Sequence, residues 1–115
     1  MKITSIDSSP EIAVSHNPLV RKRLLIANGE IDRLTNFSRA VFPPGEVAPS
    51  HCHADMSEVF YIESGDGAIE VDGKVIGLPQ GSCITISPGE FHELRNSGDR
   101  EMVVLYFAVL SNSAL

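Results

Sequence analysis

Four side chains carry the chemistry this sequence offers. His51 and His53 stand two apart within Gly45–Gly65, G-E-V-A-P-S-H-C-H-A-D-M-S-E-V-F-Y-I-E-S-G. On an extended segment residues i and i+2 share a face, so both imidazoles point the same way. Glu58 follows five residues after His53, just ahead of the apolar run Val59-Phe60-Tyr61-Ile62. Two imidazoles and a carboxylate make a good start on a divalent-metal site. A third imidazole is available at His92, in Pro88-Gly89-Glu90-Phe91-His92. An H-x-H pair is often no more than a polar strand face. Here three of the chain's four histidines lie in Gly/Pro-framed segments with strand-like neighbours, which favours the metal. The fourth, His16 beside Asn17-Pro18, reads as a surface loop residue.

The elements that must position these groups read as strands. Residues 1–18 form a lightly structured arm, broken at Ser8-Ser9-Pro10 and Asn17-Pro18, because proline restricts itself and the residue before it. Residues 19–115 form one domain. Val20–Ala27 and Leu34–Phe42 are strands, rich in β-branched, aliphatic and aromatic residues. The cluster Arg21-Lys22-Arg23 could touch an anion, but the acidic whole favours a solvated face or an inter-subunit ion pair. Ala68–Val71 and Lys74–Leu78 flank Asp72-Gly73, a strong type I′ hairpin signal. Cys83–Ile86, His92–Arg95 and the long apolar Met102–Leu110 follow, and 111–115 is a frayed end. No segment keeps a helical period. Eight or nine short strands with Gly/Pro punctuation every eight to twelve residues imply an antiparallel sandwich or barrel.

Composition limits the partners. At 115 residues the chain makes one domain with a modest core. A net charge of −6 argues against nucleic acid or an anionic membrane as the main partner. No apolar run approaches the roughly 20 residues of a spanning helix, and Met1-Lys2-Ile3-Thr4-Ser5 lacks a leader's apolar region. Cys52 and Cys83, with no C-x-x-C spacing, suit a reduced, cytoplasmic protein.

With these residues in place, the chain resembles the cupins. That family's first motif is a glycine, five residues, H-x-H, three or four residues, a glutamate, six residues and a glycine. Gly45, His51, His53, Glu58 and Gly65 meet every spacing. The second motif is a glycine, five residues, P-x-G, two residues, a histidine, three residues and an asparagine. It is matched by Gly81, Gly89, His92 and Asn96, with Ser87 in the expected proline position. The resemblance implies an all-β fold, an antiparallel jelly-roll β-barrel, holding one metal through His51, His53, Glu58 and His92. It also implies a homodimer built through edge strands. Imidazoles and a carboxylate suit Mn, Fe, Co, Ni, Cu or Zn, and four protein ligands leave two positions of a six-coordinate ion open.

Two functions follow from that resemblance. One is a metal-dependent enzyme of dioxygenase, isomerase or lyase type acting on a small organic molecule. The other is a metal-containing small-molecule or sugar binding or sensing module without catalysis. Arg39, Tyr61, Glu93 and Tyr106 are polar residues placed to face the cavity, and Arg39 is the expected partner of a mono-anionic substrate. Phe37, Phe60, Ile62, Phe91 and Met102 are apolar candidates for its lining, subject to strand register. Met102–Leu110 is apolar throughout, so both its faces need cover. A partner subunit is the expected cover of the outer one, with Val20–Ala27 pairing across subunits.

Overall fold

The structure, a computed structural model, describes residues 1–111, so the expected frayed end lies outside the described residues from 112 onward. Ten strands and no helix form among the described residues. They are β1 (Glu11–Val14), β2 (Asn17–Ile26), β3 (Leu34–Phe42), β4 (Val47–His51) and β5 (Met56–Ser64). Then come β6 (Gly67–Val71), β7 (Lys74–Leu78), β8 (Cys83–Ile86), β9 (His92–Asn96) and β10 (Met102–Leu110). A six-stranded sheet runs β1-β2-β3-β10-β5-β8, and a four-stranded sheet runs β4-β9-β6-β7. Every pairing is antiparallel. The all-β jelly roll expected from the sequence is the fold observed.

Period-two alternation places the inward residues. On β5, Glu58, Phe60 and Ile62 are buried while Tyr61 between them is exposed. On β9, His92, Leu94 and Asn96 are buried, and Glu93 and Arg95 alternate with them. The core between the sheets centres on Val20, Ile62, Ile69, Met102 and Val104, all fully buried. Each such side chain stabilises the fold by roughly 1.5–3 kcal/mol relative to exposure.

Turn chemistry fixes the register. Asp72 and Gly73, at φ 48° and 85°, supply the two left-handed positions of the β6–β7 hairpin. Gly65 has φ 85° as well, and a Cβ there would lie 2.6 Å from the Glu101 carbonyl oxygen. Asn96 is buried and ties three segments together. Its Nδ2 donates to the Phe42 and Arg100 carbonyls at 2.9 and 2.7 Å, and its Oδ1 accepts from the Gly98 amide at 2.9 Å.

The N-terminal third differs from expectation. The stretch read as an arm contains β1, and the boundary drawn at residue 18 falls inside β2, which begins at Asn17. A four-residue edge strand is too short to show a period, and Pro18 is tolerated as the second residue of its strand. Asn17 Nδ2 donates to the Val47 carbonyl at 2.7 Å, which pins the β1–β2 turn to the other sheet. β2 is bonded to β3 on one side and, from Asn17 to Arg23, to β1 on the other, which leaves Leu24–Ile26 beyond the end of β1. The outer face of β10 is only partly covered, with Leu105 and Phe107 half-buried and Val109 37% exposed.

Candidate metal centre

The site joins the two sheets at one end of the barrel. His51 closes β4 and is the antiparallel partner of His92 on β9, with ring centroids 4.3 Å apart. Glu58 approaches from β5 in the opposite sheet. His53 lies just past β4, in the loop to β5, and its carbonyl accepts from the Gly89 amide at 2.8 Å. That bond ties the turn of the second motif to the H-x-H pair. Glu58 Oε1 lies 3.3 Å from His92 Nε2 and 3.6 Å from Nε2 of both His51 and His53. The donor atoms of His51, Glu58 and His92 all fall within 4.8 Å of one another, a grouping that does not include His53. His92 and Glu58 are buried, whereas the two H-x-H side chains are about 40% exposed (40% and 41%) and edge the opening.

The hydrogen-bond pattern fixes which nitrogens face inward. His51 Nδ1 lies 2.9 Å from the Pro49 carbonyl and His92 Nδ1 lies 3.0 Å from that of Glu90. A carbonyl only accepts, so each Nδ1 carries a hydrogen and each ring turns its Nε2 toward Glu58. Backbone carbonyls commonly orient metal-ligating imidazoles in this way. Glu58 Oε1 and His92 Nε2 are buried with no hydrogen-bond partner. Buried polar atoms seldom stay unpaired, and two lone-pair donors facing each other fit a shared cation. Burial opposes the charge on Glu58, but the His51 and His92 imidazoles outweigh it and bring the carboxyl down to about 2. Glu58 in turn raises the pKa of His51, against the effect of that ring's own partial burial.

A cavity of about 450 Å³ opens beside this cluster. His51, His53, Glu58 and His92 line it, together with Phe60 and Tyr106. Three expected pocket residues lie elsewhere. Tyr61 is 40% exposed on the outer face of β5, one residue out of phase with Phe60. Arg39 faces outward on β3 and pairs with Glu63 at 3.1 Å. Phe91 is 52% exposed, because its neighbour His92 takes the inward position. Of the other candidates, Glu93 pairs with Arg95, Phe37 packs edge-on against Phe107, and Ile62 and Met102 belong to the core.

Lys22, Asn36 and His16 also line the cavity, and sequence reasoning did not place them there. Alternation held the signal for Lys22. Arg21 and Arg23 reach Glu11 on β1 at 3.2 and 3.3 Å, which turns the residue between them inward. Lys22 Nζ sits 6.0 Å from the Tyr106 ring centroid. Burial pushes the Tyr106 phenol up to about 12, with the neighbouring Ser38 hydroxyl working the other way and the Glu58 charge adding to the rise.

A family profile described as "Cupin domain" matches residues 38–108. An oxalate-binding protein of Thermotoga maritima is 30% identical over 74 residues, 64% of this chain and 61% of that protein. Gentisate 1,2 dioxygenase 1 of Aquipseudomonas alcaligenes is 26% identical over 89 residues, 72% of this chain and 26% of the enzyme. The chain therefore spans less than two thirds of either relative. A solved structure described as a predicted oxalate decarboxylase of Thermotoga maritima superposes with a TM-score of 0.87. It is 22% identical, and the alignment covers 96% of this chain and all of that one.

Proposed function

We propose that this chain, which belongs to the cupin family, binds one divalent transition metal and performs metal-dependent chemistry on a small organic molecule. The observation that carries this reading is the pair of buried, unpartnered lone-pair atoms, Glu58 Oε1 and His92 Nε2, in the wall of a 450 Å³ cavity. His51, His53, Glu58 and His92 are the proposed ligands. The donor set suits Mn, Fe, Co, Ni, Cu or Zn. When bound, such an ion supplies a Lewis acid and, where redox-active, an electron donor.

The chain's own residues do the rest. Glu58 contributes a carboxylate that stays ionised. The Pro49 and Glu90 carbonyls hold His51 and His92 in the tautomer with Nε2 free. Phe60 covers His92, with ring centroids 6.0 Å apart, and keeps that side of the centre dry. Tyr106 keeps its proton and can donate a hydrogen bond to a ligand oxygen. The reaction class proposed is dioxygenase, isomerase or lyase. The name of the oxalate-binding relative favours a second reading, a metal-containing binding module without turnover.

A homodimer is proposed on the half-covered outer face of β10 and the exposed sheet edges. The exposed thiols Cys52 and Cys83 fit a reducing compartment and support a cytoplasmic location. Metal analysis of protein purified without added metal, followed by oxygen-uptake and product assays over small acids, diols and phenols, tests the functional reading. About one metal per chain with turnover supports the enzyme; one metal with tight binding and no turnover supports the module; no metal retained on reconstitution refutes both.

A further inference from the structure

Beyond the Phe60 and Tyr106 rings from His92, the cavity wall carries a positive charge that no carboxylate among the described residues answers. Lys22 is half-buried, and among the described residues it makes no ion pair; its recorded contact is the Tyr106 ring. The chain has 15 acidic residues, yet among the described residues the only carboxylate lining this cavity is Glu58, which faces the imidazoles. The flanking Arg21 and Arg23 share Glu11 on the outer face, out of reach of a side chain that alternates inward. Asn36 Oδ1, in the same lining, is buried without a hydrogen-bond partner. Partial burial of the ammonium already lowers the pKa of Lys22.

The two ends share a continuous wall. Lys22 stands over Tyr106, Tyr106 lies 5.8 Å from Phe60 between ring centroids, and Phe60 lies against His92. Ala40, Phe42 and Val104 add apolar surface beside them. Such a cavity fits a ligand with an apolar middle and polar groups at both ends. A neutral ligand would leave the ammonium desolvated and unpaired, whereas a carboxylate pairs it in a partly dry site where the attraction is strong.

We infer that Lys22 is a specificity-determining residue that receives the carboxylate of a small organic acid, with Tyr106 beside it, while the acid's other end meets the metal centre. This rests on the metal reading above. It assigns to Lys22 the role that the sequence suggested for Arg39.

Zinc-loaded protein tests the inference without any turnover, using 3,4-dihydroxybenzoate and 3,4-dihydroxybenzamide as probes. Both present the same diol to the metal and differ only in charge at the far end. Calorimetric titration should show the acid binding roughly 10- to 100-fold tighter, the range expected for one hydrogen bond to a charged group. Lys22→Met should bring the two within about twofold, chiefly by weakening the acid, and Lys22→Arg should retain the preference. Equal affinities in the unsubstituted protein, or a preference that survives Lys22→Met, would overturn the inference and leave the metal reading standing. If zinc is not retained, the metal reading fails instead. Benzoate binding to the metal-free protein then decides the matter: loss in Lys22→Met supports the acid site, and no change overturns it.

Discussion

Glu58 Oε1 and His92 Nε2 come from opposite sheets and stop 3.3 Å apart, both buried and neither with a hydrogen-bond partner. The gap between the sheets is thus closed by two electron-pair donors and not by a hydrogen bond. Removing either donor should remove the ion. Losing a group that merely orients a ligand commonly costs 10- to 100-fold in metal affinity, so Glu58→Gln or His92→Ala, which remove a donor itself, should weaken it by more than about 100-fold. The double substitution His51→Ala/His53→Ala should also empty most of the site. Mass-spectrometric metal content and competition with a chelating dye measure both, and unchanged content in the double variant places the ion elsewhere.

Cys52 lies between the two histidines, is exposed, and is not among the donor atoms grouped with His51, Glu58 and His92. Cys52→Ala should keep the metal and its spectrum. A thiolate charge-transfer band in cobalt-substituted protein that vanishes in this variant would contradict that placement.

The Tyr106 phenol, raised to about 12, gives a titration with a definite sign. Its ordinary pKa near 10 applies to the unfolded chain. Below pH 10 both states hold the proton and stability does not depend on it. Between pH 10 and about 12 only the folded state retains it, so stability falls as pH rises through that window. In a Tyr61→Phe background, ultraviolet difference titration reports Tyr106 alone and should show its midpoint well above 10. A midpoint at or below 10 would mean that the phenol is solvated.

Gly65 and Gly73 share φ 85° but differ in surroundings. A methyl at Gly73 meets nothing within 4 Å, whereas at Gly65 it meets the Glu101 carbonyl oxygen at 2.6 Å and Met102 Cα at 2.8 Å. Gly73→Ala should cost about 1 kcal/mol, the left-handed strain alone. Gly65→Ala should cost roughly 3 kcal/mol or more, with the steric clash added. Urea unfolding compares them, and equal losses would show that the contact with β10 relaxes freely.

The outer face of β10 should be covered in solution. Sedimentation at micromolar concentration should give about twice the 12.4 kDa chain mass. A single species near 12.4 kDa refutes the dimer.

Much of this was legible in the residues. His51, Glu58 and His92 converge because each sits at an inward phase of its strand, with His53 brought beside them by the loop after β4, and Asp72-Gly73 adopts the turn its residues demand. What escaped was phase and edge. Phe60 and Tyr61 are both aromatic, and only the register of β5 decides which one meets His92. β1 is four residues long at a sheet edge, where pairing to β2 and not any period of its own makes it a strand. Arg21-Lys22-Arg23 looks like a single basic patch in one dimension, yet folding sends its middle member to the opposite side from its neighbours. Asn36 carries no local signature, since only the sheet around it creates the buried, unpaired amide.

The stretch matching the family profile begins at residue 38, so it contains the four metal-facing groups, Phe60 and Tyr106 but excludes His16, Lys22 and Asn36. The β1–β2 hairpin, anchored through Asn17 to Val47 and through Val20 to the core, thus brings its own side chains to a cavity whose four candidate ligands come from the rest of the chain. Exchanging residues 1–36 between two such barrels should transplant the choice of acid and leave the handling of the ion as it was. On the proposed reading, the group that chooses the ligand and the groups that hold the ion thus lie on separate stretches of the chain.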